Sequence, residues 1–179
     1  YGDGFYKSTD NGDSWFQVND PRLPRRPTYF SRIVIRPGQP NELLAACGTN
    51  HVNISYQGGL YRSTDYGETW QNRLVPDIGL EGRVCSDVVF SPDGSKAYIT
   101  GPDESGEQVY EKGVHYRMST DGGASFGPPR DDIIRLQGRS HIAICNSDPN
   151  RIYIFSHIMN TCPPGSCSGS ESSAILYMS

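Results

Sequence analysis

Acidic side chains set in loops are the first place to look for chemistry in this chain. Eight lie in segments rich in proline, glycine and asparagine: Asp20, Asp77, Glu81, Asp103, Glu104, Glu107, Asp131 and Asp132. Two carboxylates flanking a glycosidic bond can hydrolyse it, standing about 5–5.5 Å apart for retention or about 6.5–9.5 Å for inversion. Asp77, Glu81, Asp131 and Asp132 are the candidates for that catalytic role, although no two of them form a distinctive motif. Arg25, Arg26, Arg83, Arg130 and Arg139 are guanidinium donors able to grip a substrate oxyanion in bidentate fashion. His51, Tyr56 and Tyr110, with Tyr29, His141 and His157, are rings on which a sugar could stack or from which it could take a hydrogen bond. The bland expectation for each is a solvated loop charge, a packed tyrosine or a rim histidine. Position alone makes them candidates. No serine- or cysteine-based catalytic arrangement and no glycine-rich phosphate loop stands out in the sequence.

The segments that must hold these residues are organised by a repeat. STDNGDSW (8–15) returns as STDYGETW (63–70) and STDGGASF (119–126), so the leading serines Ser8, Ser63 and Ser119 are 55 and 56 residues apart. Between the octapeptides a second unit recurs: SRIVIRPGQPNELLAACG, SDVVFSPDGSKAYITG and SHIAICNSDPNRIYIFS. Each is an apolar run, a turn of Pro, Gly, Asn or Asp, and another apolar run. Strands and turns repeating at such a period indicate blades of a β-propeller, four antiparallel strands to the blade. The sequence predicts strands over 30–36, 42–48, 59–63 and 69–73 in the second unit. The divisions expected are two outer strands of one blade in 1–19, whole blades in 29–74 and 85–128, and three strands of a further blade in 139–179. Such a set forms an incomplete ring of about three blades. The expectation is a piece of a longer propeller whose remaining blades come from the same chain or from a second one.

Within the octapeptide the chemistry is that of a tight turn. Asp10, Asp65 and Asp121 can accept hydrogen bonds from the backbone amides of the turn. Gly12, Gly67 and Gly123 supply a residue able to take positive φ. Trp15, Trp70 and Phe126 are then expected to plug between adjacent sheets. The pattern S-x-D-x-G-x-[ST]-[WF] resembles the Asp-box, or BNR repeat, of the sialidase-like propellers, and all three copies match it. Those propellers include sialidases, xyloglucan-degrading glycoside hydrolases and sortilin-type receptors. The resemblance implies carbohydrate engagement, as a glycoside hydrolase or a catalytically silent relative. The rival it also admits is a non-catalytic receptor, adhesin or assembly scaffold working through protein contacts. The arginine motif of the sialidases is absent, and PRLPRRP is at best a distant echo of it. A calcium role for the Asp-boxes would need more oxygen ligands in close sequence and a terminal glutamate, so neither metal nor cofactor is expected.

Composition sets the remaining bounds. With 20 glycines, 13 prolines and 11 tyrosines, the 179 residues favour short strands and tight turns. A net charge of −4 argues against nucleic acid as a partner, and no apolar run is long enough to span a bilayer. Cys162 and Cys167 flank a Pro-Pro-Gly turn and form an expected disulfide. Asn53-Ile54-Ser55 is a glycosylation sequon. Both point to a secreted or cell-surface location. Carbohydrate or a protein ligand is expected on the face built by the long connections that follow the second and fourth strands of each blade.

Overall fold

A computed structural model describes residues 4–23, 28–49, 58–72, 85–102, 114–128, 130, 140–159 and 172–178. Among them there is no helix. Strands β1 (Tyr6–Lys7) and β2 (Phe16–Gln17) pair as a hairpin. Strands β3 (Thr28–Arg36), β4 (Gln39–Thr49), β5 (Gly59–Ser63) and β6 (Gln71–Asn72) form a four-stranded sheet in chain order. Strands β7 (Asp87–Phe90), β8 (Ala97–Pro102) and β9 (Val114–Ser119) form a third, and a bridge from Tyr116 to Arg130 takes the fourth place beside β9. Strands β10 (Ser140–Ile144), β11 (Ile152–Met159) and β12 (Ser172–Met178) form the last. Every pairing is antiparallel between sequence neighbours. The protein is thus an incomplete ring of β-propeller blades.

Side-chain alternation explains why these sheets stack. Along β4, Ala45 and Cys47 turn to one side and pack with Leu23, Tyr61 and Trp70, where Phe5 and Val18 of the first blade meet them. Leu44 and Ala46 turn to the other side and pack with Val88, Phe90, Ala97 and Ile99 of the third sheet. Along β7 and β8, Val89 and Tyr98 face the opposite way and meet Ile142 and Ile154 of the fourth. A strand buried on both faces reads as a continuous apolar run, which is what SDVVF and ELLAACG display. The first seam is largely aromatic, with the Phe5 ring 4.0 Å from that of Phe30 and 4.8 Å from that of Trp70, centroid to centroid.

The three octapeptides fold as one turn built three times. Ser8 Oγ donates to Asp10 Oδ1 at 2.8 Å and accepts from Gly12 N at 2.8 Å. Asp10 Oδ1 accepts from Ser14 N at 2.9 Å, and its Oδ2 from the Ser14 hydroxyl. Ser63, Asp65, Gly67 and Thr69 repeat this set, as do Ser119, Asp121, Gly123 and Ser125. Gly12, Gly67 and Gly123 take φ of 97°, 81° and 84°. Gly123 is also sterically required, because a Cβ there would lie 2.7 Å from Leu44 Cδ1. The residue before the glycine is left-handed too, at Asn11, Tyr66 and Gly122, which the turn chemistry did not announce.

Two expectations change. Strand β6 starts at Gln71 rather than at the expected 69, because Thr69 N–H is spent on Asp65 and Trp70 N–H on Asp20, leaving neither for the ladder. The plugging role holds for Trp70, which is 1% exposed, and for Phe126, which packs on the seam between the second and third sheets. Trp15 does not plug a seam; it is 61% exposed. Phe5 and Leu23 of the preceding blade cover Trp70, and no described residue stands on the corresponding side of Trp15.

The turns generate two predictions. Tyr66 holds φ of 60° with its side chain largely in solvent, a backbone state that costs a bulky residue about 1–2 kcal/mol. Tyr66→Asn should therefore raise stability by about 0.5–1 kcal/mol, measured by urea unfolding; an unchanged or lower midpoint counts against strain at this site. The second concerns acid. Hydrogen bonds from the Ser14 hydroxyl and amide and from the Ser8 hydroxyl hold Asp10 at about 2. Burial opposes ionisation of Asp121, but bonds from Ser125 and Ser119 outweigh it and hold it at about 2. A carboxyl depressed in the folded state stabilises fully above its unfolded value, about 4, and that stability is lost as pH falls through the folded value. The melting temperature should thus drop between pH about 4 and about 2. Asp121→Asn should be less stable at neutral pH and show a flatter acid limb.

Candidate functional site at the inner strands

The innermost strands carry matching dipeptides: Ser31-Arg32 within β3, Ser86-Asp87 at the start of β7 and Ser140-His141 at the start of β10, at intervals of 55 and 54 residues. Because β7 packs against both β3 and β10, this shared position brings an arginine, an aspartate and a histidine from three blades together at the inner edge of the sheets. Arg32 Nη1 lies 3.4 Å and 3.3 Å from Asp87 Oδ1 and Oδ2. Val88 N donates to Oδ1 and Ile142 N to Oδ2, each at 2.9 Å. His141 Nδ1 stands 3.5 Å from Oδ2.

Burial divides their roles. The Asp87 side chain is 1% exposed, whereas Arg32 is 45% and His141 67% exposed. A carboxylate taken out of water must be paired and hydrogen-bonded, and Asp87 is held by both blades it touches. It is a fixed charge that orients the guanidinium and the imidazole, which remain open to solvent. Around it, the buried hydroxyls of Ser86, Thr100 and Ser140 have no hydrogen-bond partner among the described residues, and Thr100 stands opposite Asp87 across the β7–β8 ladder. The arrangement offers preset donors to an oxygen-rich ligand. Its single carboxylate, Asp87, is closed off from solvent. Among the described residues, no group of His, Cys, Asp and Glu side chains comes together to hold a metal ion.

Three of the predicted polar residues are described with their side chains. Asp20 is buried; its Oδ1 accepts from Arg22 N and Nε at 3.0 and 2.9 Å, and its Oδ2 from Trp70 N. Burial works against its ionisation, but these donors outweigh it and keep the carboxyl below its usual range. Asp20 is therefore a rivet between the first two blades and not a catalytic acid. Arg130 lies with its guanidinium carbon 5.6 Å from the Tyr116 ring centroid, a cation–π contact. His141 belongs to the inner cluster. Tyr29 and His157 lie on β3 and β11 and are described in backbone only. Outside the described residues lie Asp77, Glu81, Asp103, Glu104, Glu107, Asp131 and Asp132, the arginines Arg25, Arg26, Arg83 and Arg139, the rings His51, Tyr56 and Tyr110, and Asn53, Cys162 and Cys167. Cys47 and Cys85 are buried, Cys145 is part-exposed, and burial pushes the Cys85 thiol up.

Sequence reasoning does not reach Arg32 and Asp87, since both sit on strands, where packing and not ligand contact is the default expectation. The signal was present in the repeat itself. When the units are stacked on SRIVI, SDVVF and SHIAI, every other position is apolar or small, and the second carries Arg, Asp and His.

The chain matches no protein-family model and no curated protein. Among solved structures it is similar to an ancestral GH74 enzyme, with a TM-score of 0.62 and 19% identity, over 85% of this chain and 19% of that one. It is also similar to a protein of unknown function from Dyadobacter fermentans, with a TM-score of 0.53 and 15% identity, over 85% of this chain and 51% of the other. The chain thus spans about a fifth and about half of these structures. At such identities the likeness is one of fold.

If Asp87 clamps three blades, Asp87→Ala should cost about 2–3 kcal/mol, because it strands the Ile142 amide and removes the partner of Arg32. Chemical denaturation of the two proteins side by side checks this. A loss under about 0.5 kcal/mol, the range of ordinary surface changes, would show that the blades do not depend on it.

Proposed function

We propose that this chain is part of an Asp-box β-propeller, secreted or displayed at a cell surface, that engages carbohydrate on the face where its inner strands begin. The observation that carries the proposal is the Arg32–Asp87–His141 cluster. Fixed, outward-facing donors anchored on a buried carboxylate suit hydroxyl and carboxylate oxygens, which are the polar features of sugars. The sequence-based candidates Arg25, Arg26, Arg83 and Arg139 and the rings His51, Tyr56 and Tyr110 lie outside the described residues, and the proposal does not depend on them. The three serine–aspartate turns support the Asp-box assignment. The fold shared with a GH74 enzyme supports the saccharide, though fold by itself does not imply function.

Binding is the activity the described residues favour. Asp87 is buried and engaged by Arg32, His141 and the amides of Val88 and Ile142, so hydrolysis would rest on loop carboxylates such as Asp77, Glu81, Asp131 and Asp132.

The test is a glycan microarray carrying neutral and acidic glycans, followed by titration calorimetry with the best ligand. Arg32→Ala and His141→Ala should each weaken binding about three- to tenfold, and the His141 variant should keep the parent melting temperature. Retention of no glycan at all would remove the carbohydrate reading and leave a protein-binding scaffold. Binding indifferent to both variants would move the site away from the inner strands.

A further inference from the structure

A second place for a ligand lies at the opposite, outer edge of the sheets. Between the first two blades, Lys7, Thr9, Phe16, Val18, Asn19 and Glu68 line an open cleft of about 420 Å³, within the usual size range of small-molecule sites. Thr9 comes from the first octapeptide turn and Glu68 from the second. Lys7 on β1 is ion-paired with Glu68 across the gap between blades. Phe16 stands directly opposite Lys7 in the β1–β2 ladder, so both side chains are on the face that looks toward the second blade. The Phe16 ring is 62% exposed although the blade it faces is in place.

The repeat makes that phenylalanine unusual. Its counterparts, each following the plug residue, are Gln71 and Gly127. Blade packing therefore does not require an aromatic here, and burial does not explain it. In the next seam the counterpart of Glu68 is Ala124, and that of Lys7 is Arg62, which pairs with Glu42 of its own sheet. Among the described residues, only the first seam combines an exposed aromatic face, an amide at Asn19, a hydroxyl at Thr9 and a charged pair at one side.

We propose that this cleft is a saccharide-binding site distinct from the inner cluster, taking one or two units of a neutral, equatorially substituted glycan whose C–H face stacks on Phe16. Hydroxyl groups of the sugar would bond to Asn19, Thr9 and the Glu68 carboxylate. An exposed aromatic ring beside planar polar groups is the arrangement that recognises the amphipathic faces of such sugars. The proposal shares with the preceding one the premise that the protein meets carbohydrate, but it rests on different residues.

Saturation-transfer NMR of the 179-residue protein with cellohexaose, and with polygalacturonate fragments as an acidic control, tests it. Phe16→Gln installs the residue that the second unit already carries at this position, so the strand should tolerate it. The expected result is cellohexaose contact in the parent, weakened about tenfold in Phe16→Gln, with equal melting temperatures for the two proteins. Cellohexaose binding that Phe16→Gln leaves intact overturns the cleft while the inner site stands. Binding of the acidic fragments alone also overturns it, and so does binding of neither, which removes the carbohydrate premise as well.

Discussion

A sheet that is apolar on both faces cannot stand alone in water, and this constraint organises the whole chain. At about 25 cal/mol per Å² of apolar surface, leaving a face such as Leu44, Ala46 and Leu60 uncovered would be prohibitive for a domain of ordinary stability. Each blade is therefore stable only as a neighbour. Leu44 and Ala46 need Val88 and Ile99, just as Val89 and Tyr98 need Ile142 and Ile154. Stacking in one direction with right-twisted sheets produces the propeller arc.

Charge is placed at the seams with the same economy. Asp20 takes the Trp70 amide of the next blade, Asp87 takes Arg32 from one side and the Ile142 amide from the other, and Glu42 accepts from both Arg36 and Arg62 at 2.9 Å. Arg36 in turn donates to Gly94 O in the third blade at 2.8 Å and passes so close to Gly122 that a Cβ there would overlap the guanidinium. These bonds add direction to a contact that is otherwise greasy and nondirectional. Hydrophobic burial decides that blades stack, and the polar rivets set the register in which they do so.

The two proposed binding surfaces follow from what the seams leave over. At the inner edge, Asp87 looks across to both neighbouring sheets and so gathers Arg32 from one and His141 from the other. At the outer edge, the last strand of one blade and the turn of the next leave a gap whose lining varies freely between repeats. Both places combine a rigid scaffold with positions that packing does not dictate, which is where recognition can be written without disturbing the fold.

How much of this was legible beforehand can be told residue by residue. The octapeptide announced its own geometry, because Ser8, Asp10, Gly12 and Ser14 make their bonds within seven residues and local chemistry suffices to read them. The strands could be read for a similar reason: burial on both faces writes itself as an unbroken apolar run. What the sequence could not disclose is which residues meet across blades. Arg32, Asp87 and His141 are more than fifty residues apart in turn, and only the stacking of sheets, driven by faces that must be covered, brings them within hydrogen-bond range. Exposure was equally beyond reach. Trp15 and Trp70 occupy the same place in the same motif, yet one is open and the other sealed, since burial belongs to the neighbour that covers a residue and not to the residue itself.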